Sequence, residues 1–203
     1  MEQVSCFGLN PYDSFFLACF FGDIQLVKFL SCNPAIDVSA NKNECFLLAC
    51  CNGYLEVVKF LSSDPKVDVT ACRNRGFLSA CWNNHLDVVK FLCSDPTEVD
   101  DLGPPSAKRR RIDVATCGID GFIWACVYGH VDVVKFLSYD PKVDIADFDN
   151  HGFRTACEMG HLDVVELLAS NPRVDVAPTP PLKLTFSTES TVKPGGETVV
   201  KYR

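Results

Sequence analysis

The chain has 203 residues, of which 47% are hydrophobic and 22% charged, and a formal net charge of −7. Such proportions suit a folded, soluble chain long enough for one sizeable core or for an array of small units. The acidic balance argues against broad nucleic-acid binding, because phosphate backbones reward a basic face.

The N-terminal stretch MEQVSCFGLNPYDSFFLACFFGD has no basic start, and its apolar run covers only Phe15 to Phe21. That run is too short to span a membrane and is poorly flanked for a signal peptide, so no membrane association is expected. Twelve cysteines, an even number, raise the question of a disulfide framework. Without an export signal the expected compartment is reducing and the thiols are free.

Further along, the chain repeats itself. GDIQLVKFL, GYLEVVKFL, NHLDVVKFL, GHVDVVKFL and GHLDVVELL begin at Gly22, Gly53, Asn84, Gly129 and Gly160, at spacings of 31, 31, 45 and 31 residues. The odd interval exceeds the period by 14 and locates an insertion, about Glu98 to Arg111, between the third and fourth units. In each unit a phenylalanine (Phe15, Phe46, Phe77, Phe122, Phe153) opens a short apolar helix, with an Ala-Cys pair three residues later. Gly, or Asn84 in the third unit, ends that helix as a residue tolerant of positive φ. A second helix follows, with apolar residues three and four apart and Asp or Glu in its first turn, where the helix dipole favours them. The turn SDPKVDV or a variant closes the unit. Proline stops the helix, and V-D-V reads as a short extended segment.

A helix–turn–helix with an extended loop, carrying A-x-x-x-G-H into L-x-V-V-x-x-L, resembles the ankyrin repeat over roughly Pro11 to Ala177, in five units. The T-P-L-H tetrapeptide of that family is replaced by strings such as RGFL (Arg75 to Leu78) and HGFR (His151 to Arg154). The units are also about two residues short, with Asp-Pro or Asn-Pro at the turn, similar to the divergent repeats of protist and giant-virus arrays. The resemblance implies an all-α solenoid of five helix–turn–helix units with short extended inter-repeat loops, occupying residues 1–177. The missing tetrapeptide puts the usual hydrogen bonds between units in question.

Five of the twelve cysteines occupy one repeat position beside alanine. A catalytic thiol is needed once, whereas a small buried residue that lets helices approach is needed in every unit. His85, His130 and His161 each follow a cysteine by four residues, but the intervening Gly or Asn ends the helix and takes the pair off a common face. No phosphate-cradling loop, H-E-x-x-H or G-x-S-x-G is present, so no enzyme, metal or cofactor is expected. In ankyrin proteins the two residues before the Gly-His face the ligand. That resemblance makes Phe20, Phe21, Asn52, Trp82, Asn83, Tyr128 and Met159 the candidate partner-binding residues, Trp82 and Tyr128 foremost.

The insertion contains GPPSAKRRRID, Gly103 to Asp113. Its core, Lys108, Arg109, Arg110 and Arg111, is similar to a monopartite nuclear-import signal of the Myc type. An extended basic peptide of this kind fits the acidic pockets of an importin-type receptor. The tail, 178–203, leaves the repeat. It carries PTPPLK (Pro178 to Lys183), a weak match to SH3-type ligands, then LKLTFSTES and TVVKYR, which alternate as strands around Pro194-Gly195-Gly196. The resulting expectation is a monomeric, non-enzymatic scaffold of nucleus and cytoplasm that binds a partner protein. A substrate-recruiting adaptor of a ubiquitin ligase is the first rival, and a nucleic-acid tether through the basic loop the second.

Overall fold

A computed structural model describes residues 10–94, 112–174, 191–192 and 198–199. The whole insertion with its basic core Lys108 to Arg111, PTPPLK and LKLTFSTES lie outside the described residues.

Ten helices are present among them: α1 (Pro11–Phe21), α2 (Ile24–Ser31), α3 (Ala40–Cys51), α4 (Leu55–Ser62), α5 (Ala71–Trp82), α6 (Leu86–Cys93), α7 (Val114–Val127), α8 (Val131–Tyr139), α9 (Asp147–Met159) and α10 (Leu162–Ala169). Each odd-numbered helix packs on the even-numbered helix that follows it. The odd helices also stack on one another in chain order, and so do the even ones, giving two layers. The stack continues unbroken from α5 to α7 and from α6 to α8, across the insertion.

The core between the layers is periodic. Phe15, Phe46, Phe77 and Phe122 are fully buried, as are Cys19, Cys50, Cys81 and Cys126 and the adjoining alanines. Phe153 and Cys157, in the last pair, are half-buried. Glycines set the spacing. A β-carbon on Gly76 would stand 2.9 Å from the Phe46 ring, and one on Gly121 would stand 2.7 Å from the Phe77 ring. At these two positions a residue without a β-carbon lets the first helix settle on the phenylalanine beneath it.

Residues 22, 53, 84, 129 and 160 all adopt positive φ, between 62° and 76°, as their helix-ending role requires. In the first pair the acidic residue expected in the first turn of the second helix is the cap itself: Asp23 Oδ1 accepts from the backbone N–H groups of Gln25 and Leu26.

One expectation needs correction. The recurring phenylalanine does not open the first helix, because the chain turns toward it earlier. In α3 and α5 that turn is left-handed, with φ of 52–64° at Asn41, Lys42 and Asn43 and 54–61° at Cys72, Arg73 and Asn74. The V-D-V segments form no strand among the described residues. Their aliphatic residues are buried, Val67 and Val69 among them, while the aspartate between leads into the turn that follows. Asp37, Asp113 and Asp144 accept from the backbone N–H two residues on, as Asp68 does from Thr70, which explains why a carboxylate recurs there. In the tail, β1 (Thr191–Val192) pairs antiparallel with β2 (Thr198–Val199), on either side of Pro194-Gly195-Gly196.

Candidate functional site

The two residues before each helix-ending position lie on the last turn of the odd helices, along one face of the stack. Phe20, Phe21, Trp82, Tyr128 and Met159 are all exposed there, by 42% to 70%. The structure brings the two foremost candidates together. Trp82 on α5 stacks on Tyr128, the residue that caps α7, with ring centroids 5.3 Å apart and planes 20° from parallel. Beside them sits a residue that the sequence pattern did not select, Trp124, stacked on Trp82 at 4.7 Å and 13°. Trp124 and Tyr128 are themselves 6.2 Å apart. One signal could have found it: Trp124 precedes Tyr128 by four residues and so shares its helix face.

The three rings support one another across the junction that bears the insertion, yet each keeps more than a third of its surface open. Stacked aromatic pairs contribute about 0.5–1.5 kcal/mol each beyond their area burial. A side chain already held in place loses little freedom when a partner covers it, which suits an anchor.

The histidines hold this face from behind. His85 Nε2 donates to the Cys51 carbonyl at 2.9 Å, His130 to the Trp82 carbonyl at 2.7 Å and His161 to the Val127 carbonyl at 2.8 Å. A carbonyl can only accept, so Nε2 carries the proton in each. Each bond joins neighbouring helix pairs and fixes the backbone of a residue on the exposed face. These bonds supply links between units that the missing tetrapeptide had put in question. His130 also stacks on Tyr128, at 6.1 Å.

The other candidates stand apart from this cluster. Phe20 and Phe21 meet edge-to-face at 5.2 Å in the first pair, separated from Trp82 by the second pair, and Met159 lies in the last. The Asn52 and Asn83 amides donate to their own helix carbonyls, Leu48 O at 2.9 Å and Ser79 O at 2.8 Å, so both are partly occupied as helix caps.

Sequence reasoning also passed over Arg173. Its guanidinium donates to the carbonyls of Ser138, Asp140 and Val143 and closes the end of α8 from the neighbouring unit. The turn SDPKVDV carries lysine at this position in other units, and only the planar fork of arginine reaches three carbonyls at once.

The chemistry of most buried thiols is quiet. Burial pushes the thiols of Cys50, Cys81 and Cys126 up, and takes those of Cys93 and Cys117 to about 12. A thiol that stays protonated is a poor nucleophile and a poor metal ligand. Among the described residues no three His, Cys, Asp or Glu side chains converge as a metal site, and no helix is long and apolar enough to cross a membrane.

Residues 15–102 match the family model for ankyrin repeats, in three copies. No curated protein matches the chain. Ankyrin repeats are typically non-enzymatic modules that mediate protein–protein interaction.

Proposed function

We propose that all five helix pairs are units of one ankyrin array spanning residues 1–177, with 178–203 as a separate tail, and that the array is a monomeric, non-enzymatic scaffold. Support for extending the array beyond residues 15–102 comes from the periodic phenylalanines and from histidine bonds of the same kind at the later junctions.

The scaffold grips a partner protein through the face shared by the odd helices, which is concave in the family it resembles. The observation that carries this reading is the Trp82–Trp124–Tyr128 stack, prearranged and open to solvent. Phe20, Phe21, Asn52, Asn83 and Met159 extend the contact along the array. The test is affinity purification of wild type beside a Trp82→Ala, Tyr128→Ala variant, with circular dichroism confirming that both are folded. Partners lost selectively by the variant support the reading, and identical partner lists remove the proposed face.

The insertion is read as the array's address, taking it to the nucleus on an importin-type receptor through Lys108 to Arg111. Ile112 is buried like Val67, and Asp113 caps α7, so the last two residues of GPPSAKRRRID belong to the array. A receptor would therefore have to read the signal no further than Arg111. A fluorescent fusion tests this. Nuclear accumulation lost on changing Lys108 to Arg111 to alanine supports it, and an unchanged distribution defeats it. Neither the adaptor nor the nucleic-acid reading gains an observation from the geometry.

A further inference from the structure

One repeat position distinguishes the first junction of the stack from the later ones in the residue that fills it. Gly76, Gly121 and Gly152 each lie against the buried phenylalanine of the preceding unit. A β-carbon on Gly76 would stand 3.2 Å from Cys50 Sγ, and one on Gly121 would stand 2.9 Å from Cys81 Sγ. In the second unit this position is Cys45, and the cysteine beneath it is Cys19; both are buried. Across a disulfide, the β-carbon of one cysteine lies about 3 Å from the sulfur of the other, given an S–S bond of about 2.04 Å. The space that glycine fills elsewhere is therefore one in which two sulfurs can bond.

We propose that Cys19 and Cys45 form a redox-active dithiol, which a hydroperoxide converts into a disulfide joining the first two units. The Cys45 sulfur attacks a peroxide oxygen, an S–O bond forms as the O–O bond breaks, and an alcohol, or water from hydrogen peroxide, leaves. The Cys19 sulfur then displaces the hydroxyl of the resulting sulfenic acid as water, forming the S–S bond. Two thiols lose two electrons and two protons, and the hydroperoxide takes up both.

The surroundings assign the roles. The Cys19 thiol and the Tyr12 hydroxyl both donate to the Cys45 sulfur, holding Cys45 below the ordinary thiol value despite its burial and the nearby Glu44 carboxylate. Cys19 is pushed the other way, by that same hydrogen bond and by burial, which suits a thiol that resolves rather than attacks. Asn41, in the left-handed turn, donates to the Tyr12 oxygen at 3.2 Å and holds that hydroxyl in position.

A peroxide reaches these sulfurs when the first unit opens. Among the described residues the first unit packs on the second alone, and a unit with one neighbour opens more readily than an interior one. Phe29 on α2 is 65% exposed, whereas Phe60, Phe91 and Phe136 at the same repeat position are half-buried.

The test treats the full chain with hydrogen peroxide at low protein concentration, then digests it without reduction for mass spectrometry. The expected product is a Cys19–Cys45 linked peptide, reversed by dithiothreitol, as the main intramolecular cross-link. Closing a loop of this size should also slow amide exchange in α1 by roughly 100-fold or more. Cys45→Gly, which installs the residue of the later units, should fold and form no such link. Cys19→Ala should leave a Cys45 sulfenic acid that dimedone traps. The proposal is overturned if both cysteines stay reduced while the exposed Cys32 and Cys72 oxidise, or if cross-links scatter among cysteines. It fails equally if Cys45 over-oxidises in the wild type without linking to Cys19.

Discussion

Raising the pH from about 8 to about 10 should weaken the fold through its buried thiols. Cys93 on α6 and Cys117 on α7 are both taken to about 12, chiefly by burial, against an ordinary value of 9.0. The folded value lies above the unfolded one, so the unfolded chain releases its thiol protons first. The stabilisation is therefore fully present below pH 9 and is lost progressively as pH rises toward 12. At pH 10 each such thiol lowers stability by about 1.4 kcal/mol, a tenfold shift in the unfolding equilibrium. Urea unfolding followed by circular dichroism, at both pH values and under a reductant, measures the loss. A Cys93→Ala, Cys117→Ala variant starts from lower stability but should lose about 2.8 kcal/mol less between the two pH values than wild type does. Equal losses in the two proteins would refute the reasoning, because the pH dependence would then come from groups other than these thiols.

The links between units give three further predictions. Arg173→Met should cost about 1–2 kcal/mol in urea unfolding, discounted for the exposure of the guanidinium, and Arg173→Lys should recover less than half of it. His130→Ala frees the Trp82 carbonyl and unseats Tyr128, and should shift tryptophan emission to the red with little loss of helicity. Gly121→Val places a branched side chain where a β-carbon alone comes within 2.7 Å of the Phe77 ring. It should destabilise the stack by about 2 kcal/mol, overpacking outweighing the gain in helix propensity.

Much of this architecture was legible because it is periodic. The even helices, the positive-φ residue at the end of each odd helix and the buried Ala-Cys pair repeat in register, so each unit corroborates the next. The residues that sequence reading missed act once, or act across units. Trp124 stands where Leu48 and Ser79 stand in earlier units, and its significance arises only when α7 settles against α5 and meets Trp82. Arg173 differs from Lys66 and Lys142 at the same repeat position by a substitution that looks conservative until three carbonyls converge on it. The left-handed turns at Asn41–Asn43 and Cys72–Asn74 lack glycine, the usual marker of such backbone. Asparagine at the end of each, enriched in this conformation, was the available sign.

That sign also marks the joint carrying the insertion. Asn43 Oδ1 accepts from the Asp68 backbone N–H at 3.3 Å, linking two units, whereas Asn74 Oδ1 is buried without a partner among the described residues. In the fourth unit the repeat position of Asn43 is Ile119, within the uninterrupted helix α7. The joint beside the insertion is thus held by the aromatic stack and the His130 bond rather than by the asparagine link.

The most direct test of the binding account is site-specific photo-crosslinking in cells. One photoreactive residue replaces Asn83, beside Trp82 on the face of the odd helices, and another replaces Lys135 on α8. The account predicts discrete protein adducts from position 83 that disappear on adding Trp124→Ala, and none of those adducts from position 135. The same adducts from both positions, or adducts at 83 that persist without Trp124, would contradict it.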